Sequence, residues 1–308
     1  MTARSHPDLA SRITRAASRQ TYYTIRLLVD PPRRQDAMRA YAYFRWVDDV
    51  LDGCAARHGW AFGAGVPDRL HFLERQEALL DRCIAGDPPP DVTAQESMLV
   101  ALVRDGDLAA WGLEAYLREM MRVMRFDVGR RGRLVSQAEL EAYSAWLATA
   151  VIGAMRYFIG GERTAPTDAA SYRAVVGAHT LHMLRDTAED IATGYFNVPR
   201  ELLETHGIGP ADTCSQPYRE WVAARVRQAS ADLDAGSAYF SRVPNLRHRL
   251  AGLAYISRFR WLVATIERDD FLVRSRYGDR RRMRTVIAMT GDVMAQLAGA
   301  RRPAERPT

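Results

Sequence analysis

Hydrophobic positions recur every three to four residues over long stretches of this chain, which is the period of an α-helix that buries one face. The pattern predicts helices over residues 36–51, 70–84, 95–103, 108–125, 137–159, 172–193, 217–241 and 246–274, with one earlier helix before the proline pair at 31–32. Alternating Val/Ile/Thr runs, which are typical of strands, are nearly absent. We therefore predict an all-α fold.

Two segments interrupt the helical pattern for longer than a tight turn. Residues 53–67 are rich in Gly and Ala and have the composition of a mobile lid, and residues 207–217 join two helices late in the chain. Neither is long enough to link independent domains. We therefore predict a single domain over residues 1–298 and a frayed, Pro/Arg-rich tail over residues 299–308.

Composition narrows the classes of partner. The 308 residues carry a net charge of +6, and all 43 basic residues are arginine. This charge suits a phosphate-bearing substrate, an anionic membrane surface or nucleic acid, but the arginines match no nucleic-acid-binding module.

Cys54, Cys83 and Cys214 form no CxxC pair, which disfavours a disulfide framework or a zinc site and favours a reducing cytoplasm. We find neither a signal-like segment nor an apolar run long enough to span a membrane.

A polar stripe crosses the otherwise apolar helix at residues 36–51. Tyr41, Arg45, Asp48 or Asp49, and Asp52 follow one another at steps of three and four residues, so they share one helix face. Charged stripes are usually solvated surface. The apolar neighbours argue against that here, because a helix that is hydrophobic on most sides is buried.

A second stripe contains His179, His182, Asp186 and then Glu189 or Asp190, again at helical spacing. If the two stripes face each other, they pool up to six carboxylates. Such a concentration of charge needs cations to be stable in a protein interior. Oxygen-only sites suit Mg²⁺, which proteins commonly share with substrate phosphates. The two motifs therefore predict metal-dependent diphosphate chemistry.

Other candidates have a structural alternative of equal or greater weight. Arg45 and Arg185 suit diphosphate oxygens, although Arg185 is also placed to pair with Glu189. Tyr143 begins a series of small residues that permits either close helix packing or room for substrate, and Tyr255 suits either a cation-stabilising pocket or the core. The arginine-rich run at residues 274–284 suits a membrane-facing patch or a solvated helix end.

Together these residues resemble the squalene/phytoene synthase family, the head-to-head branch of the all-α isoprenoid synthases. The resemblance extends from about residue 18 to about residue 274. It is strongest over residues 41–52, which match the first Asp-rich motif of the family, and over residues 184–190 with 194–199, which match the second motif and its sequel. Residues 141–153 and 266–271 are similar to two further family helices.

The resemblance implies an isoprenoid-synthase-type helical bundle with a central cavity. It also implies that the motif aspartates bind Mg²⁺, with Mn²⁺ as an alternative, and that Arg45 contacts a diphosphate. The implied reaction joins two allylic prenyl diphosphates, C15 or C20, through a cyclopropyl diphosphate that rearranges to a linear product. The implied metal ligands are Asp48, Asp52, Asp186 and Asp190. Asp49 and Glu189, the other carboxylates of the two motifs, are further candidate ligands.

The chain departs from the family at His179 and His182, where Gln and Asn are usual. Imidazole is a poorer Mg²⁺ ligand than an amide oxygen but can act as a base near neutral pH. These departures predict a divergent member, and they leave open a single-substrate terpene synthase or diphosphate lyase, or a catalytically silent assembly factor. NADPH dependence, substrate chain length and oligomeric state stay open, and contact with a membrane would be peripheral.

Overall fold

The structure is a computed structural model that describes residues 7–53, 68–110, 112–160 and 169–277. Within these ranges the regular structure consists of α-helices, a 3₁₀ turn at Pro31–Arg33 and one isolated bridge between Val135 and Pro199. The all-α prediction is confirmed. The helices are α1 (Pro7–Ala17), α2 (Arg19–Leu28), α3 (Arg34–Leu51), α4 (Arg69–Ile84), α5 (Glu96–Asp105), α6 (Leu113–Arg130), α7 (Gln137–Phe158), α8 (Ala169–Thr193), α9 (Arg200–His206), α10 (Gln216–Arg242) and α11 (Leu246–Arg268).

Hydrogen bonds from backbone amides to side chains explain two differences between the observed and the predicted helices. The segment before residue 29 forms two helices rather than one, because Ser18 is extended and its hydroxyl accepts the amide hydrogen of Thr21. Serine is a favourable N-cap residue. Similarly, α6 begins at Leu113 rather than at residue 108, because the Asp107 carboxylate accepts two backbone amides in a preceding turn.

The last described helix is shorter than predicted. α11 ends at Arg268 rather than at residue 274, and Asp270 and Phe271 both have left-handed backbone angles, with φ of 53° and 60°. Such angles are uncommon for residues other than glycine and stop a right-handed helix. The predicted lid, apart from Gly53, lies outside the described residues, as do residues 278–284 of the arginine-rich run and the tail.

One compact unit comprises Met1–Gly129 and Gly153–Arg163. α3 is central to it and packs against α1, α2, α4 and α5. Twelve of the eighteen residues of α3 are buried. From residue 41 to the end of α3, the partly exposed side chains are Tyr41, Arg45 and Asp48, and exposed Asp52 follows at the C-cap. The packing therefore leaves accessible the polar stripe that the sequence predicted.

A buried polar network holds α3 in this orientation. The hydroxyl of Tyr43 donates to the Gln76 side chain over 3.1 Å, and Gln76 donates to Glu96 over 3.0 Å. Burial opposes the charge on Glu96, but hydrogen bonds from Arg75, Thr93 and Gln76 outweigh it and lower the pKa of Glu96 to about 2. Buried polar groups are costly when unpaired. This network therefore favours a single orientation of α3 about its own axis.

Two glycines in the same unit bring α6 and α7 into backbone contact. A Cβ atom on Gly153 would lie 2.7 Å from the carbonyl oxygen of Gly112, and one on Gly112 would lie 2.5 Å from that of Gly153. At Gly153, the close-packing interpretation of the small residues in α7 is therefore confirmed.

The other unit comprises Arg130–Ile152 and Thr164–Thr308. In it α8 packs along α10 and also contacts α11. The connection between α6 and α7 runs beside the segment that follows α8, and it is held there by the amide of Gly132 on the carbonyl of Gly194 and the amide of Arg200 on that of Val135, both over 2.7 Å. The prediction of one domain over residues 1–298 stays a prediction.

Candidate active site

The first acidic motif separates its aspartates into two environments. Asp49 is 1% exposed and pairs with the guanidinium of Arg45. Asp48 keeps 40% of its side-chain exposure, and its carboxylate lies 3.3 Å from Arg45. Asp52 is exposed at the C-cap. Helical spacing alone allowed either Asp48 or Asp49 on the polar stripe, and the structure places Asp48 there with Asp52.

The Asp48 carboxyl ionises less readily than a free aspartate. Burial raises the pKa of Asp48 to about 7, and repulsion from Asp52 adds to the effect. Arg45 opposes the rise, while Asp127 of α6 and Asp49 contribute to it. The carboxylate is thus accessible to a small ligand and also surrounded by protein. A cation bound beside it would favour the ionised form.

Tyr41 lies one turn before Arg45 on the same stripe and is partly exposed. It is close enough to Tyr116 of α6 to contribute to raising the pKa of that phenol, for which burial is the main cause. Tyr116 in turn packs edge-on against Phe44 and Phe158. Tyr41 therefore lies beside one member of an aromatic group formed by Tyr116, Phe44 and Phe158.

The second acidic motif lies in the last turns of α8. The guanidinium of Arg185 pairs with both carboxylate oxygens of Asp186, at 2.6 and 2.5 Å, rather than with Glu189 as the alternative interpretation proposed. Glu189 is exposed and Asp190 is partly exposed. The amide nitrogen of Asn197 donates to Asp190 over 2.6 Å.

His179 lies two turns before Asp186 on α8, and His182 lies one turn before it. The Nδ1 atom of His179 is 3.1 Å from the Ser144 hydroxyl, and its ring packs edge-on against Tyr143 at 4.7 Å. Burial, with the nearby His182, Arg130 and Arg225, lowers the pKa of His179 to about 3. The His179 ring is therefore neutral at pH 7, and the structure as it stands disfavours its accepting a proton.

Aromatic side chains continue from the histidines towards α11. His182 packs edge-on against Phe259 at 5.1 Å between ring centres, and Phe259 contacts Tyr255 at 5.5 Å. Burial raises the pKa of Tyr255 to about 12, so the phenol is neutral. Within this unit, Tyr143 with His179, and His182 with Phe259 and Tyr255, thus form two groups of aromatic contacts along α8 and α11, the first of them beside Arg130.

The donor chemistry of the motifs fits Mg²⁺. Both motifs supply carboxylate oxygens, which this ion prefers. Burial and repulsion from Asp52 raise the pKa of Asp48, and a bound cation would lower it again. In the described ranges no three His, Cys, Asp or Glu side chains converge into a complete metal site. Mg²⁺ usually keeps waters or takes substrate phosphate oxygens to complete its coordination.

Four residues that lie near the candidate site residues were not identified from the sequence: Asp127, Arg130, Ser144 and Asn197. Asp127 and Arg130 end a helix whose predicted boundary was residue 125. Asn197 is part of the quoted sequel to the second motif, and that match was the one available signal. Ser144 directly follows Tyr143, but nothing in its local sequence indicates contact with a residue of α8.

The chain matches a family profile and several proteins of known type. The profile described as squalene/phytoene synthase matches residues 14–287. Presqualene diphosphate synthase from Rhodopseudomonas palustris is 25% identical over 272 residues, covering 86% of this chain and 90% of that protein. Phytoene synthase 3 from Zea mays is 27% identical over 224 residues, covering 69% of this chain and 48% of that protein, so the chain spans about half the length of this relative.

Two solved structures share the fold. A squalene synthase from Alicyclobacillus acidocaldarius superposes with a TM-score of 0.65 at 20% identity, covering 86% of this chain and 94% of that one. A dehydrosqualene synthase superposes with a TM-score of 0.68 at 15% identity, covering 95% and 96%. No helix in the described part of this chain has the length and apolarity required to cross a membrane.

Proposed function

This chain belongs to the squalene/phytoene synthase family, as a divergent member, and on that premise we propose that it is a Mg²⁺-dependent prenyltransferase. The proposed reaction condenses two allylic prenyl diphosphates of C15 or C20 length, head to head, through a cyclopropyl diphosphate. The observation that carries the proposal is the pair Asp48 and Asp52, in which burial and mutual repulsion raise the pKa of Asp48 to about 7. A site built this way favours a bound cation.

Asp48 and Asp52 in the first motif, and Asp186 and Asp190 in the second, are the proposed metal ligands. Mg²⁺ bound there would supply Lewis-acid stabilisation of the departing diphosphate. Mn²⁺ also prefers oxygen ligands and is a second candidate. Glu189 is exposed and one residue away from Asp190, so it is proposed as an auxiliary ligand.

Asp49 has a different proposed role. It is buried and pairs with Arg45, whose side chain is 35% exposed. We assign Asp49 to holding Arg45 in place rather than to binding metal. Arg45 then presents its guanidinium beside Asp48, where it can donate hydrogen bonds to a diphosphate. Tyr41, one turn earlier on the stripe, is proposed to contact the substrate next to this group.

The second motif supplies the other proposed phosphate contact. Arg185 forms a bidentate pair with Asp186, and a diphosphate can compete for the same guanidinium when a cation occupies Asp186. The release of this pair by substrate is part of the proposal. Arg185 therefore has two partners available in turn, a carboxylate in the free enzyme and a phosphate in the complex.

An allylic cation must be kept from water, which would convert it to an alcohol. We propose that the aromatic side chains of Tyr143, His179, His182 and Tyr255 serve this purpose. Tyr255 is neutral because burial raises its pKa to about 12, and His179 is neutral because burial lowers its pKa to about 3. The aromatic faces of Tyr143 and Tyr255 suit a cation. A neutral ring does not repel the developing positive charge.

Peripheral contact with a membrane is also part of the proposal, since prenyl chains are lipid-soluble. The supporting observation is α2, which exposes Tyr23 (53%) and Leu27 (69%) four residues apart on one face. Arg19 and Arg26 are exposed on the same helix. Exposed apolar side chains flanked by cations suit an anionic bilayer surface.

Product analysis tests the reaction directly. Purified protein is incubated with C15 or C20 prenyl diphosphate and Mg²⁺ or Mn²⁺, and products are identified by mass spectrometry. A C30 or C40 product, or its cyclopropyl diphosphate precursor, supports the proposal. Products that keep the chain length of the substrate point to the single-substrate terpene synthase or lyase, and no pyrophosphate release with either substrate rules out both. The same assay with and without NADPH decides whether the product is reduced.

A further inference from the structure

Arg130, the last residue of α6, is an arginine in an enclosed position. It is 6% exposed, and its guanidinium carbon lies 5.0 Å from the ring centre of Tyr143 and 5.0 Å from that of Tyr195. Taking a charged group out of water costs several kcal/mol unless it is well paired. A buried guanidinium between two aromatic rings therefore requires specific partners.

Asn197 links this arginine to the second acidic motif. Arg130 donates from a terminal nitrogen to Oδ1 of Asn197 over 2.6 Å, and Nδ2 of Asn197 donates to Oδ2 of Asp190 over 2.6 Å. Asn197 is itself 8% exposed. The three side chains form a continuous series from a buried cation to a proposed metal ligand.

The chemistry of the three groups fixes the direction of these hydrogen bonds. A guanidinium can only donate, and an ionised carboxylate can only accept. The amide of Asn197 satisfies both neighbours in one orientation, with its oxygen towards Arg130 and its nitrogen towards Asp190. Arg130 therefore fixes the orientation of the amide, and the amide fixes the position of one oxygen of Asp190.

The backbone brings Asn197 back towards Asp190. α8 ends at Thr193, and the Gly194 that follows it has a φ of 88°. The amides of Gly194 and Tyr195 donate to the carbonyls of Ile191 and Asp190 over 3.1 and 2.7 Å. This is the hydrogen-bond pattern of a Schellman helix end. The amide of Gly132 also holds the carbonyl of Gly194, so the turn is attached to the connection that follows Arg130.

We infer that Arg130 is a positioning residue for the Asp190 carboxylate, acting through Asn197. The inference rests on the proposed function, in which Asp190 is a metal ligand. Ligating carboxylates are commonly held by such hydrogen bonds, and losing one typically costs about 10–100-fold in metal affinity or activity. Arg130 need not contact the substrate to have this effect.

The test measures metal binding apart from turnover. Wild type and variants are titrated with Mn²⁺ at a fixed concentration of inorganic pyrophosphate, and the rise in unfolding temperature is followed. We expect R130M and N197A to need about 10–100-fold more Mn²⁺ for half of that rise, with a matching shift in the Mn²⁺ dependence of pyrophosphate release. R130K, which can still donate to Asn197, should recover part of the loss.

Arg131 provides the matched control. It is exposed, its Nε atom donates to the Thr193 carbonyl over 3.1 Å, and it lies 5.9 Å from the same Tyr195 ring. R131M should leave the Mn²⁺ requirement unchanged. If R130M does not fold, N197A and R130K decide the question.

Folded R130M or N197A with the Mn²⁺ requirement of the wild type overturns the inference, even if its unfolding temperature is lower, because the residue is then merely structural. If Mn²⁺ with pyrophosphate does not raise the unfolding temperature of the wild type, and the wild type releases no pyrophosphate from a prenyl diphosphate, the proposed function is overturned. This inference is then overturned with it. If the wild type shows both effects and the variants have its Mn²⁺ requirement, only this inference is overturned and the proposed function stands.

Discussion

Asp48 and Asp52 lie one turn apart on α3, and repulsion between them adds to burial in raising the pKa of Asp48 to about 7. The neighbouring carboxylate Asp49 is instead buried against Arg45. Both adjacent aspartates of the motif pair with Arg45, but Asp49 is buried against it, whereas Asp48 is partly exposed and also faces a second carboxylate. This difference separates the proposed metal-binding position from a structural one and leads to the first prediction.

The Asp48 carboxyl should make the folded protein less stable as the pH rises. Its folded-state pKa of about 7 lies above the unfolded value of about 3.9, so the folded state binds more protons between these values. The stability contributed by this group is therefore fully present below about pH 4 and is lost as the pH rises to about 7. D48N, which cannot ionise, should gain stability relative to wild type across this window.

Chemical denaturation without divalent ions at pH 4, 5, 6 and 8 measures this difference. D91N, a change at an exposed aspartate outside both motifs, is the control. A difference between D48N and wild type that stays constant with pH would contradict the account of Asp48. Added Mg²⁺ with pyrophosphate should stabilise wild type more than D48N at pH 8.

His179 should show the opposite dependence on pH. Burial is the main cause that lowers its folded-state pKa to about 3, whereas an unfolded histidine titrates near 6.5. The unfolded state therefore binds more protons between these values, and stability falls as the pH falls from about 6.5 towards 3, by at most about 1.4 kcal/mol per pH unit. H179Q should lose less stability than wild type on acidification.

Denaturation at pH 7, 6 and 5 tests this, with H206Q on exposed α9 as the control. NMR of the imidazole gives an independent measurement: the His179 signals should not titrate between pH 5 and 8. A midpoint near 6.5 would contradict the buried, neutral ring and would restore His179 as a candidate base.

Much of the fold follows from local sequence. The apolar period and the Gly-Asp-Pro-Pro-Pro stop predict a helix over residues 70–84, within one residue of α4 (Arg69–Ile84). The predicted end of α11 was wrong because the chain turns at Asp270 and Phe271. Both residues have left-handed backbone angles, and no glycine in the sequence indicates such a turn. Helix ends of this kind depend on tertiary contacts that a local pattern does not contain.

The candidate site could likewise be predicted only where local sequence determines it. The stripe on α3 was predicted, but adjacent Asp48 and Asp49 both fitted the helical spacing, and packing around α3 decides between them. Arg130 and Asn197 are 67 residues apart in sequence, so no local pattern connects them. The family resemblance identified the motif aspartates without indicating what holds them in place.

The contact between Gly112 and Gly153 should tolerate no side chain. A Cβ atom on Gly153 would lie 2.7 Å from the backbone oxygen of Gly112, and backbone cannot move aside as a flexible side chain can. We expect G153A to lower the free energy of unfolding by about 1–3 kcal/mol, as overpacking does. G129A is the control, because Gly129 lies in α6 with nothing within 4 Å of an added Cβ, and it should be neutral or slightly stabilising.

Urea denaturation of both glycine variants gives the two values. Equal stability of G153A and wild type would show that the helices can separate at this point. In that case the small residue at 153 would have to be explained by substrate room, which is the alternative that the sequence allowed.

The exposed face of α2 should bind anionic bilayers. Y23S and L27S remove the two most accessible apolar groups of this helix, which are 53% and 69% exposed, and should weaken binding because bilayer insertion depends on buried apolar area. Co-sedimentation with vesicles of phosphatidylcholine containing phosphatidylglycerol measures the effect. L70S, at a leucine that is 45% exposed on α4, should bind as wild type does.

High salt should weaken the binding of wild type, since the arginine contribution is screened. Equal sedimentation of wild type and the α2 variants would exclude this face as the contact. A change in oligomeric state on L27S, with vesicle binding intact, would assign the face to a second copy of the chain instead.

Pyrophosphate release from C15 and C20 prenyl diphosphates by D48N and D186N tests the central claim most directly. Wild type should release pyrophosphate only with Mg²⁺ or Mn²⁺, and each variant should be slower by about 100-fold or more, the size of a lost electrostatic contact to the leaving group, while D91N is unaffected. Release that continues at the wild-type rate in folded D48N and D186N, or without divalent ions, would contradict metal-assisted ionisation at these carboxylates.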